Sequence, residues 1–191
     1  MNTLTVELEP LVSFYGSHGP ALPEINIVSA NDVGGVNHDL LVHRNDMTST
    51  LENYVQSSLR IRLLNESYVK NIYSRELVLE TDNNSYPVEY GAIRIYISRL
   101  EERVQQEILE ARRPLGGILN AHKVSYLSCP DMFIRVLSDL RIGSALHLHE
   151  PTVLYGRCNR LTDMTGVLLA DIVEIIAPPE KMPRDEKSGK K

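Results

Sequence analysis

Apolar residues recur in strand-length runs along most of this chain and in a helical rhythm along only a little of it. The runs Leu59 to Leu64 and Ile72 to Glu80 are followed by the turn cluster Thr81-Asp82-Asn83-Asn84-Ser85 and then by Val88 to Ile97, which predicts a hairpin. Thr152 to Thr162 passes through Asp163-Met164-Thr165-Gly166 into Val167 to Ile176, a second hairpin, and weaker alternation marks Val124 to Leu127 and Phe133 to Leu137. The clearest helical rhythm lies in Ser98 to Arg112, where Leu100, Val104, Ile108 and Leu109 share a stripe behind a serine with a glutamate three residues on. A shorter helix is expected over Leu51 to Ser58, started by Asp46 or Thr48. Strands joined by short turns, with few helices laid on one side, predict an α+β fold built on a mainly antiparallel sheet.

The two ends read differently. Residues 1–38 carry scattered prolines and glycines and are expected to form an irregular N-terminal extension; residues 39–178 form the domain; residues 179–191, proline-interrupted and charged, are expected to be a disordered tail. A chain of 191 residues with 42% hydrophobic and 24% charged residues suits a single globular domain.

Charge and cysteine usage narrow the partners. The formal net charge of -5 supplies no basic field for a polyanion, so nucleic acid is not expected, whereas one or two placed cations suffice for a small anion. Cys129 and Cys158 form neither a disulfide framework nor a metal-binding spacing. The N-terminal residues do not read as a leader, and no apolar run approaches the roughly 18 residues of a membrane span, so a cytoplasmic protein without a membrane partner is expected.

Two charges interrupt apolar strand rows. From Val167 to Ile176, one face carries Leu168, Ala170, Ile172, Glu174 and Ile176, with Glu174 its polar exception. A carboxylate among aliphatics loses hydration and its pKa rises, the profile of a general acid or base; the alternative is a strand-end glutamate turned to solvent. Arg75 interrupts the row Tyr73, Arg75, Leu77, Leu79 in the same way. Its planar guanidinium could grip a carboxylate with two parallel hydrogen bonds, or it could sit in a structural ion pair, with Glu174 as one candidate partner.

Other motifs say less. Arg113-Pro114-Leu115-Gly116-Gly117 offers either backbone that an anion can approach or a plain helix stop. His147-Leu148-His149 would place two imidazoles on one strand face, but no third metal ligand is spaced to join them. Tyr155-Gly156-Arg157 and Asn159-Arg160 read as a polar sheet edge or ligand rim, or equally as ordinary surface pairing.

Taken in order, DMTSTLE at 46–52, YSRELVLE at 73–80, RPLGGIL at 113–119 and ADIVEIIAP at 170–178 resemble the chorismate pyruvate-lyase family, over roughly residues 40–178. The resemblance implies an antiparallel sheet whose ligand is buried beneath helical flaps. It implies that Arg75 binds a ring carboxylate with help from the backbone N–H groups of Met47 and Leu115, and that Glu174 is the acidic residue facing the ring hydroxyl. The implied activity is that of a cofactor-independent carbon-oxygen lyase, which eliminates pyruvate from chorismate to leave a hydroxybenzoate. The default product is 4-hydroxybenzoate, in quinone (ubiquinone) biosynthesis or secondary metabolism. No metal is implied, and the oligomeric state, monomer or homodimer, is left open. Two rivals stand beside this reading. The effector domains of GntR-type transcription factors share the family's fold, so the chain could be a noncatalytic module that binds a small aromatic acid. It could also be a lyase acting on an amino analogue of chorismate. The first 40 residues lack two consecutive helical patterns, which disfavours a DNA-binding repressor but not a sensor.

Overall fold

The turn clusters organise the chain as their composition dictates. The computed structural model describes residues 7–16 and 21–183, and in it β3 (Ile72–Thr81) and β4 (Pro87–Tyr96) flank the Thr81 to Ser85 turn, while β6 (Val153–Thr162) and β7 (Leu168–Ile176) flank Asp163 to Gly166. A third hairpin joins β2 (Leu59–Val69) to β3 through Lys70 and Asn71, both at positive φ (49° and 65°), as the twist-matched two-residue hairpin turn requires. With β1 (Glu24–Val28) and β5 (Leu127–Leu137) they form one seven-stranded sheet, ordered β1-β5-β6-β7-β4-β3-β2, in which every neighbouring pair is antiparallel. The α+β class read from the sequence is the one observed. The pairing of β4 with β7 joins the two predicted hairpins edge to edge and makes them the middle of the sheet.

Helices cover both faces rather than the single side expected. On one face lie α1 (Glu9–Tyr15) and α6 (Leu140–Ala145), packed on β3, β4 and β7. On the other lie α2 (Gly35–Leu41), α3 (Met47–Val55) and α5 (Leu115–Ala121), with α4 (Glu102–Leu109) against α5. Every residue of β3 from Tyr73 to Thr81 is therefore buried, and its two alternating rows meet different environments. The Ser74, Glu76, Glu80 row faces α1 and α6 or the β2 edge, where its charges are paired. Arg141 grips Glu76, Tyr90 donates its hydroxyl proton to the same carboxylate at 2.5 Å, and Arg60 and Arg62 hold Glu80. The Tyr73, Arg75, Leu77, Leu79 row faces α3 and α5.

Several local expectations are corrected. The lead-in is not irregular throughout: Leu8, Leu11 and Tyr15 of its α1 segment join the core, and it adds the edge strand β1. At the other end, residues 179–181 form a 3₁₀ turn, Pro179 and Met182 are buried, and Tyr54 donates a hydrogen bond to the Pro179 carbonyl at 3.2 Å. The remainder of the expected tail, residues 184–191, lies outside the described residues. The helix expected over Ser98 to Arg112 is shorter. A 3₁₀ turn occupies Ile97–Arg99, α4 starts at Glu102, and Ala111 at φ 52° ends it in the left-handed region. His147 and His149 lie not on a strand but in the bend after α6, with His147 itself at φ 55°. Among the described residues, no group of three or more His, Cys, Asp or Glu side chains could hold a metal, and no helix is long and apolar enough to cross a membrane.

Candidate functional site

A cavity of about 70 Å³ lies between the sheet and the N-terminal ends of α3 and α5. Strand alternation supplies its floor: Arg75, Leu77 and Leu79 from β3; Glu89, Gly91 and Ile93 from β4; Ile172 and Glu174 from β7; Asn159 and Leu161 from β6. The roof is Asp46, Met47 and Thr48 at the start of α3 and Pro114, Leu115 and Gly116 at the start of α5. All four residues singled out in the sequence, Arg75, Glu174, Met47 and Leu115, line this one cavity.

Local sequence fixes the roof. Asp46 is the N-cap of α3, its carboxylate accepting from the Ser49 N–H at 2.8 Å, while Leu51 and Val55 anchor that helix in the core. The PLGG segment does not end a helix. Pro114 takes the N-cap position and α5 begins there, held by the buried Ile118 and Leu119. The two helix starts touch: a Cβ on Gly116 would fall 2.0 Å from Asp46 Oδ1, so only glycine lets α5 approach α3 this closely. Met47 and Leu115 are thus first residues of their helices, where backbone N–H groups have no partner within the helix.

The charged floor falls into two ends. Arg75 is 1% exposed, and its Nε and Nη1 have no hydrogen-bond partner among the described residues. Burial pushes its pKa down to about 10, against the smaller opposing pull of Tyr73 and Glu66. It does not pair with Glu174. That carboxylate is taken by Arg157, whose Nε lies 2.5 Å from Glu174 Oε2, and whose Nη1 also donates to the His43 carbonyl at 3.0 Å. Burial, then the Arg157 charge, hold His43 below the usual imidazole range, so it does not add a second cation there. Beside this pair sits Glu89, 4% exposed, whose Oε2 has no partner among the described residues. Burial first, and then the neighbouring Glu174 carboxylate, raise its pKa well above the usual carboxylate range and favour its neutral form.

Sequence reasoning missed Glu89 and misread Arg157. The rule that singled out Arg75 and Glu174 applies equally to Glu89, the polar exception in the row Glu89, Gly91, Ile93, Ile95. Arg157, read as part of a sheet edge or ligand rim, is fully enclosed, because β6 lies inside the sheet between β5 and β7. Glu174 is consequently not an isolated carboxylate on an apolar face but half of a buried ion pair.

The sequence matches no family model and no curated protein. The fold has solved counterparts. The chain is similar to the effector domain of PhnF from Mycobacterium smegmatis (14% identity, TM-score 0.56, covering 76% of this chain and 95% of that domain). It is also similar to a longer PhnF chain from the same organism (14% identity, TM-score 0.55, 75% of this chain and 68% of that one). A third counterpart is YydK, described as a possible transcriptional regulator, from Bacillus subtilis subsp. subtilis str. 168 (9% identity, TM-score 0.51, 69% of this chain and 64% of that one). At such identities the likeness is one of fold. These findings overturn the chorismate pyruvate-lyase assignment, and with it the carbon-oxygen lyase activity, the 4-hydroxybenzoate product and the place in ubiquinone biosynthesis or secondary metabolism. The physical reason lies in the four motifs themselves: they are the start of α3, strand β3, the start of α5 and strand β7. Their order and spacing report the roof and floor of this fold and do not by themselves specify a reaction.

Proposed function

We propose that this chain is a noncatalytic module that binds a small carboxylic acid in the cavity beneath α3 and α5, as a sensor of the kind named an effector domain in PhnF. The observation that carries the reading is Arg75. A buried guanidinium with two unpartnered nitrogens costs at least about 1–3 kcal/mol per unmet group, and a carboxylate is the small group that satisfies a guanidinium through two parallel hydrogen bonds. The walls of Leu77, Leu79, Ile93, Leu115, Leu161 and Ile172 suit an apolar body behind that carboxylate.

Catalysis has no comparable support. Glu174, the acid that the family resemblance cast as catalytic, is engaged by Arg157. The test is calorimetric titration with benzoate and short-chain carboxylates beside their primary amides, followed by mass spectrometry of the recovered ligand. The expected result is binding of carboxylates roughly 10- to 150-fold tighter than of amides, the range of a charged hydrogen bond, with the ligand recovered unchanged. Equal binding of acid and amide, or conversion of the ligand, would refute it.

A further inference from the structure

The end of the cavity opposite Arg75 holds two carboxyl groups and one guanidinium. Glu89 projects from β4 and Glu174 from β7, and Arg157 from β6 reaches only Glu174. Glu89 Oε2 is buried without a partner among the described residues, and Gly91, between Glu89 and the Arg75 end on the same row of β4, leaves the space beside Glu89 open. A Cβ there would stand 3.3 Å from Glu89 Oε1 and from Leu77 Cδ1. Arg75 is paired in register with Ile93, and Glu89 with Leu79, four residues further along β3 and β4. The two polar ends are thus separated by roughly 14 Å of strand before their side chains reach inward. One end presents an unbalanced cation; the other presents one more acid than it has cations.

We propose that Glu89 forms a second subsite which takes an ammonium group, so that the occupant is a small aminocarboxylate lying along β3 and β4 with its carboxylate on Arg75 and its amine on Glu89. This deepens the proposed carboxylate-binding function, on which the placement of the occupant's acid rests. A zwitterion gives the unpartnered groups at both ends a partner at once, whereas a plain carboxylate leaves Glu89 Oε2 as it is. The groups that face Glu89 are Glu174 and Arg157 from the floor and Asp46 from the roof. With Glu174 already paired and Asp46 acidic, an arriving ammonium meets no competing cation but Arg157. Burial favours the neutral form of Glu89 in the empty cavity, so an ammonium that draws it into the carboxylate form breaks its carboxyl O–H bond. The carboxylate keeps the electron pair and the proton passes to the buffer.

The experiment compares probes of equal length on the full chain: 4-aminobutyrate against pentanoate, 5-aminopentanoate against hexanoate, and 4-(aminomethyl)benzoate against 4-ethylbenzoate, with pentylamine as an amine lacking the acid. Titration calorimetry at pH 7 in two buffers of different ionisation heat counts protons. At least one aminocarboxylate is expected to bind tenfold or more tightly than its alkyl counterpart and to release close to one proton. Glu89→Gln should shrink that preference to less than about threefold and abolish the release. Gly91→Ala, which fills the space over Glu89, should weaken the same probes and serves if the glutamine variant folds poorly. Pentylamine that binds while every plain carboxylate fails would leave the Glu89 subsite standing and remove the Arg75 reading. Alkyl acids that match or exceed every amino partner, or an amino preference untouched by Glu89→Gln, would overturn the subsite and leave the carboxylate reading intact.

Discussion

Arg157 and Glu174 face each other across neighbouring strands β6 and β7, Nε 2.5 Å from Oε2, with Arg157 fully enclosed and Glu174 6% exposed. Two strand rows thereby neutralise a charge that either alone would leave stranded. Removing one partner of such a pair costs about 3–5 kcal/mol, because the other charge stays buried. Arg157→Met should therefore lower unfolding stability by about that much in urea titrations, leaving Glu174 beside Glu89 with no counter-ion. Arg157→Met combined with Glu174→Leu should recover most of the loss. A double variant as unstable as the sum of the two single losses would mean that the pair is not coupled.

Arg75 should behave in the opposite way. Its guanidinium is as deeply buried but has no acid within bonding reach among the described residues, so an apolar replacement of similar shape removes a cost rather than a bond. Arg75→Met is expected to raise the stability of the unliganded protein by about 1–2 kcal/mol while abolishing carboxylate binding. Thermal melts with and without benzoate check both halves. A lower melting temperature would assign Arg75 a structural role and empty the proposed anion site.

Much of the sheet was legible because its cues are local. Alternation and the Thr81 to Ser85 and Asp163 to Gly166 turns depend on neighbours in sequence, and they place β3, β4, β6 and β7 within a residue or two. The elements that were missed are those held by distant partners. Helix α5 contains two glycines and exists because Ile118 and Leu119 are buried under the roof; α1 contains Pro10 and is fixed by Leu11 and Tyr15 against the sheet. In the site, rows with one polar exception pointed to Arg75 and Glu174, but periodicity along one strand cannot show what the next strand supplies. Arg157 is that missing information, and its absence is what made Glu174 look like a poised acid.

Glu89 makes stability depend on pH in a direction unusual for a glutamate. Its folded pKa lies above that of the unfolded chain, so between the two values the folded state binds more protons and stability falls as pH rises. Below the ordinary glutamate range near 4.5 both states are protonated and the penalty vanishes. Glu89→Gln, which is neutral at every pH, should match the wild type near pH 4 and exceed it progressively through pH 7 to 8. Parallel curves for the two proteins across that range would show that Glu89 ionises normally.

The contact between Asp46 and Gly116 ties the two halves of the roof, and it predicts a reversal of sign. An alanine at 116 puts its Cβ 2.0 Å from Asp46 Oδ1, while the other carboxylate oxygen caps α3 through the Ser49 N–H and hydroxyl at 2.8 Å each. Gly116→Ala must therefore push Asp46 off its cap, at a cost of about 1 kcal/mol or more. Yet Gly116 lies within α5 and its φ is not positive, so alanine suits the backbone itself and favours a helix by about 0.5–1 kcal/mol over glycine. In the wild-type background the clash dominates and Gly116→Ala should destabilise. In an Asp46→Ala background the three atoms nearest that Cβ, all of the Asp46 carboxyl, are gone, and the same substitution should stabilise. A double-mutant cycle by urea unfolding reads both signs. If Gly116→Ala destabilises equally with and without Asp46, the two helix starts are not in contact and the roof of the cavity is not built as described.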